Sequence, residues 1–509
     1  MKLFGAGKTE HPMSDVKDAR KILDAIPSGD PFKALEDLNH WLESVRSWES
    51  FKPEHRLLLM EMVDDAAQSH LRKLQLDYLS SSHLSGYQEN RLWTAIRESY
   101  RHAGKAFETC IDFYASGQKG AEELKKSMPQ LTVRALRAFS GQMKWQYIRY
   151  GPLDHPLWGT ILKIYALTES RKFAQTKVAG YAGMSGETSP IYEFLKPVML
   201  GASSPDSLLP IEIDLVERLI AHLVGYFKLT LDFQPDIAYC IDLLNIEPPV
   251  RVAHLPHRAP TLRYFSAAGA LKELEKLIQT VKSTGALPSS IAAGSDYEKE
   301  IVLGVLGHLT LNWSPKPPER KAPRHKVKSR LGAIYGFEGV LTALDPSGGI
   351  PLDKNKIENW VVENVSTGGF GASVPQVKSE WLKIGCLVGL QPEGGTNWIV
   401  GVVRRFQREG AQNGMVGIQT LSRMALPVKV RPQGGQTGTS KDAETAILLN
   451  PADSAPEAHL LLRGAVLVAG QNLLLERNGK AYLLMPTGDL ERGDDYELVR
   501  CRQMIRDTG

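Results

Sequence analysis

The chain has 509 residues, 42% hydrophobic and 23% charged, which is the composition of an ordinary globular protein and excludes wholesale disorder and fibrous architectures. A chain of this length corresponds to about three domains. The formal net charge of +4 is too small for a protein that coats nucleic acid along its length. We therefore expect no nucleic-acid partner, and any anion site must be local.

The cysteines and the amino-terminal residues indicate the compartment. Cys110, Cys240, Cys386 and Cys501 lie more than a hundred residues apart, which predicts buried thiols in a reducing compartment rather than disulfides or a zinc site. The start, MKLFGAGKTEHPMSD, lacks the apolar stretch of a secretory signal, and no apolar run has the length of a bilayer crossing. We expect a cytoplasmic protein without a transmembrane segment.

Helical periodicity dominates residues 1–313, where apolar residues recur three and four positions apart. In FKALEDLNHWLESV, for example, Leu35, Leu38 and Leu42 fall on one face and acidic residues on another. Several such stripes predict a large all-α N-terminal domain. Glycine- and proline-rich stretches around residues 184–208 leave open a division into two subdomains, and a solenoid of helical pairs is a further alternative.

The composition changes to proline and basic residues at SPKPPERKAPRHKVKSR, residues 314–330, where helix cannot continue. Short β-like stretches separated by glycine follow: LGAIYGFEGVLTAL, NWVVENVSTGGFGASV, WLKIGCLVGLQ, TNWIVGVVRRFQ and GMVGIQTLSR. They predict a small barrel over residues 314–428, with the basic segment as its amino-terminal arm. The stretch EGVLTALDPSGGIPLDKNKIEN is predicted to extend the first hairpin.

A third segment follows a polar, glycine-rich linker over residues 429–445. The strands AHLLLRGAVLVAG, NLLLERNGKAYLLM and YELVRCRQ predict a small C-terminal β unit over residues 446–509. Asn478 and Gly479 mark a tight hairpin turn within it. The predicted fold class is thus a multidomain α + β protein.

Signals for enzymatic or metal chemistry are weak. The sequence GKT at residues 7–9 resembles the end of a phosphate-binding loop, but Lys2 stands in place of the first glycine. His254 and His257 have the spacing of a metal pair, yet no third ligand is near and a solvated loop accounts for them. No GxSxG, HExxH or catalytic Cys/His signature occurs. We predict a protein that is not an enzyme and has no metal or cofactor.

The strongest constellation lies at the junction between the helical and β segments. Arg320 and Arg324 form an RxxxR motif, and Asn364, Ser366 and Gly369 follow with NxSxxG spacing. Either motif alone is weak, because basic linkers and ordinary strand turns contain such patterns often. Together and in this order they resemble the PilZ family, whose members bind cyclic di-GMP through an RxxxR arm and a (D/N)xSxxG turn.

The resemblance covers residues 315–425 and implies a PilZ-like six-stranded antiparallel β-barrel. It also implies a cyclic di-GMP site formed by Arg320, Arg324, Asn364, Ser366, Gly368 and Gly369. The VGVVRRF and GMVGIQTLSR strands are similar to the later barrel strands of the family. By resemblance, the outputs of such a receptor include motility, pili, attachment and polysaccharide secretion.

These residue types suit a ligand with two phosphates and two guanines. An arginine can donate two parallel hydrogen bonds to a phosphate or to guanine, and it can stack on the base. Asn364 offers a donor and an acceptor, and Ser366 offers a hydroxyl. Gly368 and Gly369 are expected to allow positive φ and close approach of the ligand to the backbone. The arm, residues 315–330, adds seven Lys and Arg against one Glu.

The aromatic residues and the overall function leave alternatives open. Trp360, Trp381 and Trp398 are interpreted as barrel core, and Phe370 as core or as a stacking platform. The first functional hypothesis is a receptor in which capture of the arm redirects the helical domain toward a protein partner. The alternatives are a ligand-free scaffold that acts through its helical domain, and an enzyme hidden in the helical half.

Overall fold

A computed structural model describes residues 10–81, 84–152, 154–181, 186–235, 237–255, 258–292, 294–295, 297–319, 323–345, 353, 356–377, 382–410, 412–433, 443–451, 456–464 and 471–506. The chain forms two compact units. The first, the helical unit, comprises Met1–Pro205 and Pro210–Pro318, and the second, the β unit, comprises Asp206–Leu209 and Glu319–Gly509. Among the described helices, none is both long enough and apolar enough to span a membrane.

The predicted helical region is confirmed. Its helices are α1 Val16–Asp24, α2 Pro31–Ser47, α3 Pro53–Ser80, α4 Gly86–Ser116, α5 Met128–Ile148, α6 His155–Ser170, α7 Pro190–Ala202, α8 Pro210–Leu223, α9 Ala268–Thr284, α10 Ser289–Ala292 and α11 Lys299–Asn312. The stripe predicted for FKALEDLNHWLESV is the core face of α2, where Leu35, Leu38 and Leu42 are buried.

The helical unit also contains short strands that the sequence reading did not include. They are β1 Val178–Ala179, β2 Glu187–Thr188, β3 Lys228–Thr230, β4 Tyr239–Asp242, β5 Val250–Arg251 and β6 Leu262–Ser266. The first two pair with each other, and the other four form an antiparallel sheet in the order β3-β6-β4-β5. Strands of two to five residues are too short for an alternating pattern to be visible in the sequence.

Helix α5 is buried along nearly its whole length, and its charged side chains Arg134 and Lys144 are buried with it. Each is paired: Arg134 donates to Asp64 at 3.1 Å, and the Lys144 ammonium donates to Asp214 at 2.6 Å. Burial alone would raise the pKa of Asp214, but Lys144 and Arg218 outweigh it and lower that pKa to about 2. Without these ion pairs, burial of the charged Arg134 and Lys144 side chains in the core would be costly.

The range 184–208, where the sequence allows a division into two subdomains, contains a helix that packs into the core of the helical unit. Helix α7 lies in this range, and its Phe194 stacks on Tyr165 of α6 with ring centroids 3.8 Å apart. Both rings are fully buried. The helical unit is therefore described as one compact unit.

The predicted six-stranded antiparallel barrel is confirmed and is called the first barrel below. Its elements are β7 His325–Tyr335, α12 Phe337–Leu344, β8 Glu358–Ser366, β9 Gly369–Val374, β10 Leu387–Pro392, β11 Ile399–Arg408 and β12 Gly414–Ser422. The strands close in the order β10-β11-β12-β9-β8-β7, and every neighbouring pair is antiparallel. Trp360 and Phe406 are among its fully buried side chains.

The prediction that FEGVLTAL is part of a β-like stretch was wrong, because Phe337–Leu344 form helix α12, which lies in the long connection between the paired strands β7 and β8. Phe337 and Val340 are buried, and Leu341 and Leu344 pack beside them, which is the three- and four-residue spacing of a helix face. Gly336, which lies between β7 and α12, has a φ of 79°. The carboxylate of Asp495 accepts a hydrogen bond from the Phe337 N–H at 2.6 Å and so caps the helix.

The C-terminal β unit is a second closed barrel. Its strands are β13 Leu426–Pro432, β14 Glu444–Leu448, β15 Glu457–Arg463, β16 Leu473–Arg477, β17 Lys480–Arg492 and β18 Tyr496–Arg506, closed in the order β13-β14-β15-β18-β17-β16. Strand β13 begins within residues 314–428, the range predicted for the first barrel, and continues into residues 429–445, the predicted linker. Asn478 and Gly479 have φ values of 50° and 73°, as the predicted tight hairpin requires.

The two barrels share a hydrophobic cluster. Phe337 and Val340 of α12 and Val402 of β11 are buried with Leu461 and Tyr496 of the second barrel. Because this cluster includes β11 and β10 side chains, the second barrel covers part of the outer surface of the first. All four cysteines are buried free thiols, as the sequence predicted.

Candidate functional site

The NxSxxG motif forms a tight hairpin between β8 and β9. Asn364 and Ser366 lie at the end of β8, Gly368 lies in the turn, and Gly369 begins β9. Ser366 is paired with Gly369, and Asn364 is paired with Gly371. On the other side of β8, Asn364 is paired with a basic residue of β7, Lys326.

The strand register places a row of residues across the barrel wall. Directly paired residues project to the same face of a sheet, and this row consists of Lys326, Asn364, Gly371, Gly417 and Arg405. Val416 and Ile418, on either side of Gly417, are buried. Since side chains alternate along a strand, the row faces outward.

Ser366 and Gly369 follow Asn364 and Gly371 in the alternation, so they face outward too. We call the outward set the outer-face patch, which comprises Lys326, Asn364, Ser366, Gly369, Gly371, Gly417 and Arg405. Phe370 lies between Gly369 and Gly371 in β9 and therefore projects to the opposite face, away from the patch. A stacking role for Phe370 at the patch has no support from this geometry.

Strand β7 brings the carboxyl-terminal half of the predicted arm to the patch. His325–Arg330 were predicted as part of an arm, and they form the first six residues of β7, all of them exposed. Arg324 is also exposed and directly precedes this strand. Continuing the pairing of Lys326 with Asn364 by two residues would put Arg324 opposite Ser366. Strand β7 thus contributes Lys326 to the patch and carries two further exposed cations, Lys328 and Arg330.

The amino-terminal half of the arm is only partly described. Arg320 and Lys321 lie outside the described residues, and so does Trp381. The backbone carbonyl of Pro318 accepts a hydrogen bond from Arg251 at 2.8 Å within the helical unit. The segment that connects the two units therefore runs from an anchored Pro318 to His325 at the start of β7.

Hydrogen bonds hold the hairpin turn to the barrel. The Ser366 hydroxyl donates to the Gly369 carbonyl at 3.3 Å. The Thr420 N–H donates to the Gly368 carbonyl at 3.0 Å, which ties the turn to β12. A hydroxyl that donates one hydrogen bond still carries lone pairs that can accept, so Ser366 remains able to contact a ligand donor.

The expectation that the two motif glycines adopt a positive φ was wrong, because neither Gly368 nor Gly369 does so. A Cβ atom at residue 369 would lie 1.9 Å from the Ile418 carbonyl oxygen, so glycine is required there for the close approach of β9 to β12. At residue 368 no described atom lies within 4 Å of a Cβ position. Gly369 is thus needed for strand packing, and Gly368 faces open space.

Asn364 carries a buried acceptor at the patch. Its Oδ1 atom is inaccessible to solvent and has no hydrogen-bond partner among the described residues. Leaving such an atom unpaired typically costs about 1–3 kcal/mol. A ligand N–H group could satisfy it after a small rotation of the side chain.

Strand β11 contributes Arg405 to the patch, and Arg404 is its neighbour in the chain. A Cβ atom at Gly417 would lie 3.2 Å from the Arg405 Cβ atom, so the start of the Arg405 side chain lies over this glycine. Arg404 donates to Gln419 at 2.7 Å and pairs with Glu491 of the second barrel at 2.5 Å. The sequence analysis did not single out Gly371, Gly417 or these arginines. A glycine inside an otherwise alternating strand is the sequence feature that could have identified the two glycine positions.

The other sequence candidates are placed as follows. Trp360 is buried, and its indole N–H donates to Glu358 at 3.0 Å. Trp398 packs with Ile334 in the core. His254 lies in a short helical turn, and His257 is outside the described residues. Within the described ranges, no three His, Cys, Asp or Glu side chains are grouped so as to hold a metal ion.

A helical unit joined to a closed six-stranded barrel with an NxSxxG hairpin defines a PilZ-domain protein with an N-terminal helical region. Residues 17–236 match the family model described as the N-terminal domain of the cyclic-di-GMP receptor FimW. Residues 353–427 match the model described as its middle PilZ domain. The two matches together cover more than half of the chain, which therefore belongs to the FimW family. Comparison with curated proteins gives no match.

Proposed function

We propose that the chain is a cytoplasmic receptor for cyclic di-GMP and that the ligand binds on the outer-face patch. The observation that carries this proposal is the pairing of Asn364 with Lys326, which places the NxSxxG side chains beside a basic strand end. The hairpin lies inside the segment that matches a PilZ domain. The family to which the chain belongs is described as a cyclic-di-GMP receptor.

The chemistry of the patch suits this ligand. Cyclic di-GMP carries two phosphates and two guanine bases, so it needs cations together with planar or bidentate partners. Arg320 and Arg324 would supply guanidinium groups that donate to phosphate or guanine and stack on a base. Asn364 would accept from a guanine N–H through its unpaired Oδ1, and Ser366 would contact a base edge or a phosphate oxygen.

Binding to the arm would also act on the connection between the two units. Pro318 is anchored by Arg251 of the helical unit, and His325 is anchored in β7, so Arg320 and Arg324 lie in a short segment between two fixed points. Capture of these arginines would hold that segment in one path. We propose that this redirects the helical unit toward a protein partner and so regulates motility, pili, attachment or polysaccharide output.

Calorimetry with cyclic di-GMP tests the proposal on the wild-type chain and on Arg320→Ala and Arg324→Ala. A hydrogen bond to a charged group contributes about 1.5–3 kcal/mol, so each substitution should weaken binding about tenfold or more. Arg431→Ala is the matched control, because it removes the same charge from an exposed position on the second barrel. The titration also yields the number of ligands bound.

A wild-type chain that gives no binding heat would contradict the receptor proposal. The chain would then be better described as a ligand-free scaffold that acts through its helical unit. Equal weakening by Arg431→Ala would also count against a local site, because it would show a general effect of net charge.

A further inference from the structure

Three glycines of the sequence GGFG have different surroundings. At Gly368 a Cβ atom would meet no described atom within 4 Å. At Gly369 it would lie 1.9 Å from the backbone carbonyl oxygen of Ile418. At Gly371 it would lie 2.6 Å from Nδ2 and 2.7 Å from Oδ1 of Asn364. Only at Gly371 is the obstructing group a side chain of the ligand motif.

The strand register explains this contact. Gly371 is the direct cross-strand partner of Asn364, so the two residues share the outward face of the barrel. Since Gly371 has no side chain, the Asn364 amide lies flat over β9 in the space that a Cβ atom would fill. This position also buries Oδ1 without a partner among the described residues.

We propose that Gly371 is a positioning residue for ligand binding, which it serves by seating the Asn364 amide. The inference rests on the proposed function, because it assigns Gly371 a role at the same ligand site. Gly371 need not touch the ligand. A methyl group at this position would push the amide off β9, and the ligand would meet a mobile side chain in place of an amide that needs only a small rotation to bring Oδ1 to a ligand N–H group.

The barrel should tolerate Gly371→Ala. The atoms that must move belong to the end of a flexible side chain, whereas at Gly369 they belong to the backbone of a paired strand. Asn364 can rotate toward solvent because the patch faces outward. A loss of ligand affinity in a folded Gly371→Ala chain would therefore report on the position of Asn364.

A double-mutant cycle on the full chain tests the inference, with cyclic di-GMP as the probe. Asn364→Ala and Gly371→Ala should each weaken binding by about tenfold, the effect of losing one hydrogen bond to the ligand. The double variant should be no weaker than Asn364→Ala alone, because no amide is left to displace. Gly410→Ala is the matched control, because Gly410 lies outside the patch and a Cβ atom there would meet no described atom within 4 Å, so this variant should bind as the wild type does. Thermal unfolding of each variant reports whether the barrel is intact.

The outcomes separate the two proposals. No heat with the wild-type chain would overturn the proposed function and this inference with it. Binding by the wild type that is weakened by Asn364→Ala and unchanged by Gly371→Ala would overturn the positioning role alone. So would additive losses in the double variant. If Gly371→Ala unfolds the barrel while Gly371→Ala with Asn364→Ala does not, the steric seat is supported through stability.

Discussion

At the scale of single residues, the side chains that surround a position decide what its chemistry can do. Gly369 belongs to the NxSxxG motif, yet the absence of a Cβ atom there is needed for the close contact with Ile418. Asp214 is an acidic residue buried in the helical unit, yet it is held ionised by Lys144 and Arg218. Neither property follows from residue type alone, because each depends on atoms from distant parts of the chain.

Asp214 should make the stability of the helical unit depend on acid pH. Its pKa is about 2 in the folded chain and about 3.9 in an unfolded chain. A carboxylate with a depressed folded pKa contributes stability that is present above the unfolded pKa and lost as pH falls toward the folded value. The unfolding free energy should therefore fall between about pH 4 and pH 2.

Asp214→Asn should remove that pH dependence. At neutral pH it should also lower the unfolding free energy by about 3 kcal/mol, because Lys144 keeps its charge and loses a buried partner. Denaturant unfolding across the acid range checks both effects. The control is Asp37→Asn, which removes an ion pair with Lys33 that lies at the surface; an equal loss in that variant would contradict the explanation.

At the scale of secondary structure elements, helix α12 links the two barrels. It follows β7 directly and packs its apolar face into the cluster that both barrels share. Its amino-terminal N–H group is capped from the turn between β17 and β18 by Asp495. An element inserted after the first strand of the first barrel therefore depends on the last strands of the chain.

Substitutions at two neighbouring aspartates distinguish the loss of this helix cap from the loss of a surface charge. Asp495→Ala should cost about 0.5–2 kcal/mol, because an N-cap hydrogen bond is lost. Asp494→Ala removes only the pair with Lys383 at 2.9 Å, and an ion pair at the surface contributes about 0–1 kcal/mol. Denaturant midpoints of the two variants make the comparison. A smaller loss for Asp495→Ala than for Asp494→Ala would contradict the capping role.

At the scale of the whole molecule, the chain consists of a helical unit and a β unit with a short connection between them. Only residues 319–324 lie between the anchored Pro318 and the start of β7. Both arginines of the RxxxR motif belong to this segment. A ligand that binds both arginines would therefore act on this segment.

Small-angle scattering checks this coupling. Cyclic di-GMP at saturating concentration should change the scattering profile of the wild-type chain, because the connection would be held in one path. Arg324→Ala should show no change at the ligand concentration that suffices for the wild type. Identical wild-type profiles with and without bound ligand would leave a receptor whose signal does not pass through this segment.

Local patterns were sufficient to predict the helical region, the closed barrel and the Asn478-Gly479 turn. Their signals are short-range, because helix periodicity, strand alternation and turn chemistry depend on residues only a few positions apart. The NxSxxG hairpin was likewise visible as a motif. The exceptions were the short strands of the helical unit and helix α12. An apolar stretch of eight residues, such as that of α12, has too few periods to distinguish a helix from a strand.

Tertiary structure decided everything that depends on strand register and on contacts between distant residues. Register paired Asn364 with Lys326 on one side and with Gly371 on the other, and so made one outward row from five strands. It gave Gly369 a packing role and placed Phe370 on the opposite face. The cap on α12 also joins residues 158 positions apart, and closure of the second barrel pairs β13 with β16 across more than forty residues, which no local pattern records.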